Sequence, residues 1–192
     1  VRAFRDSDGD SIGDFKGVEE MVPYLADLGI TGIWLMPITD SNSEHGYNVR
    51  NYYEVNSQYG TMEDFDELLE TAHSMNIKII MDLVVNHTSD QHEWFKKSRS
   101  SKDNPYRNWY IWKPPRYDEQ GKRHPPNNWI SHFQGMLDWP KKLSQILTEA
   151  GSAWQYDELT DEYYLHLYAK EQPDLNWEHP PVREAVHDIM RF

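Results

Sequence analysis

Two short apolar runs, each preceded by a segment of helical spacing, constrain this chain more than any other feature. Val18, Met21, Val22, Leu25 and Leu28 recur on one helix face, which Gly29 closes. Ile30 to Met36 follows as an apolar run stopped by Pro37. Thr61, with Asp64 three residues later, predicts the cap of a second helix carrying Met62, Phe65, Leu68, Leu69, Ala72 and Met75 on its inner face. Ile77 to Val85 is then almost continuously apolar. A strand that is apolar on both faces has to be covered on both, so helix, strand, helix, strand predicts an α/β fold with a parallel sheet. Pro23 predicts either a kink in the first helix or a helix that begins there. Thr39 to Tyr59 reads as a polar loop between the two repeats.

Beyond Asn86 the pattern changes. From Thr88 to Trp177 the chain is aromatic and poorly periodic, punctuated by Asn104-Pro105, Lys113-Pro114-Pro115 and His124-Pro125-Pro126. About 90 residues are too many for one loop of a compact domain, so an inserted lobe is expected. Within it Glu162 to Tyr168 predicts a strand. A last helix is expected from near Pro181, with Val182, Val186, Ile189 and Met190 facing inward. The expected organisation is therefore 1–87, an inserted lobe over 88–177, and a return to the first domain over 178–192.

Composition narrows the partners. The formal net charge of -13 repels phosphate backbones and anionic lipid, which argues against nucleic acid and membrane partners. No run approaches the roughly 18–20 apolar residues of a membrane-spanning helix. The chain has no Cys, which excludes disulfides and thiolate chemistry and slightly favours a cytoplasmic setting. It does not begin with Met, and its first residues resemble neither a signal nor a transit peptide. Eight Trp and twelve Tyr suit either sugar rings or the packing of a loop-rich lobe.

Three constellations can carry chemistry. Asp6, Asp8, Asp10 and Asp14, with the Ile12 carbonyl, converge like the start of an EF-hand loop and predict a structural Ca2+ site that could also take Mg2+. Ser11 replaces the glycine of that loop and Gly17 its bidentate Glu, so a regulatory EF-hand is not expected. Asp82 to His87 ends a buried strand, and polar residues at the carboxyl end of a parallel strand are where such sheets hold their sites. A carboxylate inside an apolar strand also needs a partner. Glu44-His45-Gly46-Tyr47-Asn48 follows the preceding strand, with Gly46 permitting an unusual turn.

Taken in order, these residues resemble glycoside hydrolase family 13, the α-amylase family, most closely its oligo-1,6-glucosidase and α-glucosidase branch. The Asp6–Asp14 loop is similar to that branch's calcium loop, and Asp82 to His87 to the family's first conserved region, a match that Thr88 to His92 extends. Asn127-Asn128-Trp129 and Ser152 to Asp157 resemble the branch's inserted domain B, and Gln172 to Asn176 its subgroup motif. The resemblance covers the whole chain. It implies the N-terminal part of a (β/α)8 TIM barrel, with domain B inserted after the third strand.

The resemblance also implies roles. Tyr47 would stack under the glucose ring, and His87 would bond its primary hydroxyl. Asp82 would orient an Arg from later in the barrel, and Glu44 would hold the non-reducing sugar. Asn86 would be structural. The family's nucleophile and acid/base lie on later strands, so no catalytic residue is assigned here, and the expected partners are an oligosaccharide and the rest of the barrel. The implied activity is retaining hydrolysis of α-glucosidic bonds in short α-glucans, with the fragment itself inactive. An endo-acting α-amylase, a sugar isomerase or transglycosylase, a non-catalytic relative such as a transporter heavy chain, and a sugar- or calcium-binding fragment are the alternatives. Two departures stand out: Glu44-His45 replaces the branch's Asp-Asn, and Met136 to Ala150 is an extra segment without an assigned role.

Overall fold

The computed structural model describes residues 1–132 and 151–192. Met136 to Ala150 therefore lies outside the described residues. The chain divides into two compact units, Val1–Val84 and Val85–Phe192.

In the first unit, helix α1 spans Phe15–Asp27 and starts three residues before the first apolar position of the sequence pattern. The reason is Asp14, whose carboxylate accepts the Gly17 N–H at 2.6 Å and so caps the first turn. The helix runs through Pro23 and does not begin there. Pro23 is exposed, so the missing backbone bond falls on the solvent side. Strand β1 is Gly32–Leu35. Next come β2 (Thr39–Ser41) and β3 (Val49–Val55), an antiparallel pair in the stretch expected to be loop. Helix α2 is Met62–Ser74, with the capping box complete: Thr61 Oγ1 accepts the Asp64 N–H at 3.2 Å and Asp64 Oδ2 accepts the Thr61 N–H at 2.7 Å.

Strand β4 is Lys78–Met81 and pairs with β1 in parallel, Gly32 opposite Lys78 through Leu35 opposite Met81. Alternation sorts the two faces. Ile33, Leu35 and Ile79 pack onto the core of Phe15, Val18, Val22, Phe65, Leu68, Ala72 and Ile77. Trp34 and Ile80, on the other face, are 65% and 57% exposed. Within residues 1–192 the helices thus cover one face of the pair.

The second unit opens with α3 (Glu93–Ser100), a 3-10 turn (Arg107–Trp109) and β5 (Trp112–Lys113). A small hairpin, β6 (Arg116–Tyr117) with β7 (Arg123–His124), follows. Strands β8 (Trp154–Asp157) and β9 (Glu162–Leu165) complete an antiparallel sheet in the order β5-β9-β8. β9 is shorter than the sequence run: His166 N–H still reaches the Ala153 carbonyl in the β8–β9 register, but the Leu167 N–H leaves it for the Asp174 carboxylate. Helix α4 (Pro180–Arg191) ends the chain, with proline in its first turn.

Rings fill the core of this unit. Phe95, Tyr110, Tyr164, Leu175 and Val182 form one cluster, and Ala153, Trp154, Tyr163 and Leu165 another. Trp94, Trp109 and Trp112 pack against the first. The aromatic load is therefore largely structural, although Trp129 stays 53% exposed. Asn127 Oδ1 accepts both the Trp154 indole N–H at 2.7 Å and the Trp129 amide at 3.0 Å. That joins two motifs separated by more than 20 residues in sequence.

Candidate functional site

Asp82 sits one residue beyond β4, where its N–H still reaches across the ladder to the Leu35 carbonyl at 3.2 Å. It is half-buried, at the carboxyl ends of two parallel strands. The partner that a carboxylate needs in this position is Tyr47, whose hydroxyl donates to Asp82 Oδ2 at 3.0 Å. Burial and the Asp82 carboxylate push the Tyr47 phenol above its ordinary range, so it stays a proton donor. The β2–β3 connection and the end of β4 thus bring together two residues that lie 35 positions apart in the chain.

Gly46 makes this approach possible. Its φ is +84°, and a Cβ there would lie 2.6 Å from the Pro37 carbonyl oxygen. Glu44 does not join the pair. Its side chain is 88% exposed and makes a 3.7 Å ion pair with Arg2, a contact of little energetic weight. Tyr52 on β3, which sequence reasoning missed, donates its hydroxyl to the Val84 carbonyl at 2.7 Å and fixes the backbone just past Asp82. Spacing gave no signal for it: the buried positions Val49 and Tyr52 are three apart in a strand with register shifts, which a period of two does not produce.

In the second unit His87 is buried and its backbone bridges to Asp174. Leu175 N–H donates to the Asn86 carbonyl at 2.9 Å and Thr88 N–H to the Pro173 carbonyl at 3.3 Å. The Asp82–His87 segment and the Gln172–Asn176 motif, read separately in the sequence, are therefore linked strand-fashion here through Asn86 to Thr88. The Asn86 amide lies 3.2 Å from His87 Nδ1 and 3.4 Å from Asp174 Oδ1. An amide donor on Nδ1 leaves the ring proton on Nε2. The His87 ring packs on Tyr168 at 5.5 Å. Burial raises the Asp174 carboxyl to about 6, against the Leu167 N–H and Asn86 amide that donate to it.

The acidic loop gathers part of its expected ligand set. Carboxylate oxygens of Asp6, Asp8 and Asp14 all lie within 4.8 Å of one another. Asp10 is not one of the three; its Oδ1 accepts the Ile12 N–H at 2.7 Å within the same turn. Asp6 accepts the amides of Gly9 and Ser11, which hold its carboxyl below the ordinary range. Burial opposes the same shift at Asp14, where the N–H groups of Ser7 and Gly17 outweigh it. Ser11 reaches its place with φ at +75°, a left-handed conformation that costs a non-glycine residue energy. Asp6 accepts three N–H groups, Asp14 two and Asp8 one, which leaves each carboxylate a lone pair for a hard cation, so the donor set fits Ca2+.

Among the described residues no helix is long and apolar enough to cross a membrane. The model of the α-amylase catalytic domain matches residues 1–192. The chain is 53% identical to an α-glucosidase of Schizosaccharomyces pombe over 191 residues, 99% of this chain and 30% of that protein. An oligo-1,6-glucosidase of Bacillus cereus is 50% identical over 192 residues, 100% of this chain and 31% of that protein. Among solved structures, the isomaltulose synthase SmuA from Protaminobacter rubrum superposes with a TM-score of 0.85 at 46% identity, over 99% of this chain and 30% of that one. A trehalose-6-phosphate hydrolase mutant from Bacillus licheniformis gives 0.86 at 43% identity, over 99% of this chain and 31% of that one. The chain therefore belongs to the α-amylase family, as a stretch of its (β/α)8-barrel catalytic domain spanning about 30% of the length of these relatives.

Proposed function

We propose that this chain is the amino-terminal part of a retaining glycosidase acting on α-glucosidic bonds of short α-glucans, and that it supplies sugar contacts to a catalytic centre completed by the rest of the barrel. The observation that carries this reading is the Tyr47–Asp82 bond at the carboxyl ends of adjacent parallel strands. Tyr47 presents a ring to the sugar, and Asp82 holds its hydroxyl. His87, with Nδ1 engaged by Asn86, would contact the primary hydroxyl of the sugar. The nucleophile and acid/base of the retaining mechanism are expected outside residues 1–192, so the chain by itself is inactive. The open face at Trp34 and Ile80 is the surface that the remaining strands would cover.

The test is kinetic, in a full-length enzyme carrying this segment. Tyr47→Ala should raise KM for an α-glucoside and lower kcat/KM by about 5- to 150-fold, in line with a lost stacking contact of about 1–3 kcal/mol. An unchanged kcat/KM sinks the sugar contact.

A second reading, isomerisation of a disaccharide, draws on the likeness to isomaltulose synthase. Product analysis separates the two: free glucose supports hydrolysis, and a rearranged disaccharide supports isomerisation.

We further propose that Asp6, Asp8 and Asp14 hold a structural Ca2+, with Mg2+ as a weaker substitute. The ion would neutralise three converging carboxylates and brace the loop that caps α1 through Asp14. Chelation should lower the thermal midpoint and added Ca2+ restore it, whereas Asp6→Asn should abolish that response. An enzyme whose melting ignores both chelator and Ca2+ contradicts the site.

A further inference from the structure

The structure assigns His45 to hold Tyr47 in place, a role that rests on the reading of Tyr47 as a sugar contact. The Tyr47 backbone N–H donates to His45 Nδ1 at 3.1 Å. An amide N–H can only donate, so Nδ1 has to carry a lone pair and the proton of the neutral ring lies on Nε2. Ser43 Oγ lies 3.3 Å from the same nitrogen. That hydroxyl also accepts the Asn48 N–H at 3.1 Å and stands 3.0 Å from Ser41 Oγ on β2. A short polar chain therefore runs from the strand to the backbone on both sides of Tyr47.

The contact is not with the backbone alone. The rings of His45 and Tyr47 lie 5.6 Å apart at 35°. Gly46 between them lies against Pro37 in a left-handed conformation that leaves no room for a Cβ. Tyr47 is thus held twice, its hydroxyl by Asp82 and its backbone by His45. His45 itself is exposed and packs in no core, which leaves positioning as the effect of its side chain on the loop. The type of residue required follows directly. Asn offers an oxygen to the amide two residues on, as in an Asx-turn, whereas Ala offers nothing.

The experiment compares His45→Ala and His45→Asn with wild type in a full-length enzyme carrying this segment. Hydrogen exchange is read at Tyr47 and Asn48, and KM and kcat are measured on an α-glucoside. His45→Ala should speed exchange at Tyr47 and raise KM about fivefold with a smaller change in kcat, as expected for one lost hydrogen bond. His45→Asn should restore both, and the thermal midpoints should match wild type because the residue is exposed. Unchanged exchange in His45→Ala, or no rescue by Asn, overturns the assignment. Faster exchange with unchanged KM overturns the sugar contact at Tyr47, and with it the functional part of the role, while the anchoring of the loop stands.

Discussion

The two units bury different chemistry. The first has an aliphatic core with two Phe and one Tyr ring, and its buried polar side chains among the described residues are Ser41 and Asn56. The second, among the described residues, buries twelve polar side chains, from His87 to Asp174, among rings. Apolar packing is non-directional and insensitive to pH, whereas a buried polar network is strong only when every member is paired. The first unit should therefore resent cavities and lose stability to acid only below the ordinary carboxylate range, where the depressed Asp6 and Asp14 carboxyls protonate. The second should be sensitive to the loss of a single charge and to protonation.

The largest effect is expected at Arg107. Its guanidinium bonds the Ser98 carbonyl, Thr160 Oγ1 and Glu162, and lies 3.6 Å over the Trp112 ring. Arg107→Met keeps the apolar stem and strands Glu162 with Lys102, at an expected cost of about 3–5 kcal/mol. Hydrogen exchange should locate the damage in β5 to β9 and spare α2; damage confined to the first unit would break the comparison.

Leu68→Ala is the mirror test. Leu68 is fully buried in the first core, and the cavity should cost about 3 kcal/mol, equally at pH 5 and pH 7. A cost that depends on pH would show that the first unit is not the apolar body described.

His92 sharpens the contrast by titration. Its Nδ1 accepts the Trp94 N–H at 3.0 Å and caps α3, and burial lowers its pKa to about 4. Because the folded pKa is depressed below the ordinary 6.5 of imidazole, the unfolded chain takes up a proton first. Stability should fall by about 2–3 kcal/mol as pH drops from about 6.5 to about 4, and level off below. His92→Asn, which can cap without titrating, should flatten that window. A slope that survives the substitution assigns the effect to another group.

The same contrast explains what was legible in the sequence. The first unit follows helical and strand spacing, so α1, α2, β1 and β4 could be read from Val18, Phe65, Trp34 and Ile80 without a structure. What failed there was local chemistry: a cap at Asp14 that moved a helix start, and a hairpin hidden because Val49 to Val55 mixes polar and aromatic residues. In the second unit β5, β6 and β7 are two residues long, too short for any period to appear. Their shape comes from contacts such as Asn127 with Trp154, which spacing does not encode. Of the candidate site, the Tyr47–Asp82 bond was not legible: Asp82 follows a strand that the pattern located, but Tyr47 lies between β2 and β3, a hairpin that it missed. Glu44 faces solvent, and Asp10 turns onto its own loop, since chain direction in a turn is set by backbone angles that residue type alone does not fix.

The central claim is that this chain contributes sugar contacts and no bond-breaking groups. Its most direct test is to assay purified residues 1–192 beside the full-length enzyme for glucose release from maltose and isomaltose. The account predicts turnover by the full-length enzyme and none by residues 1–192. Glucose release by residues 1–192 alone, surviving Tyr47→Ala, would contradict it.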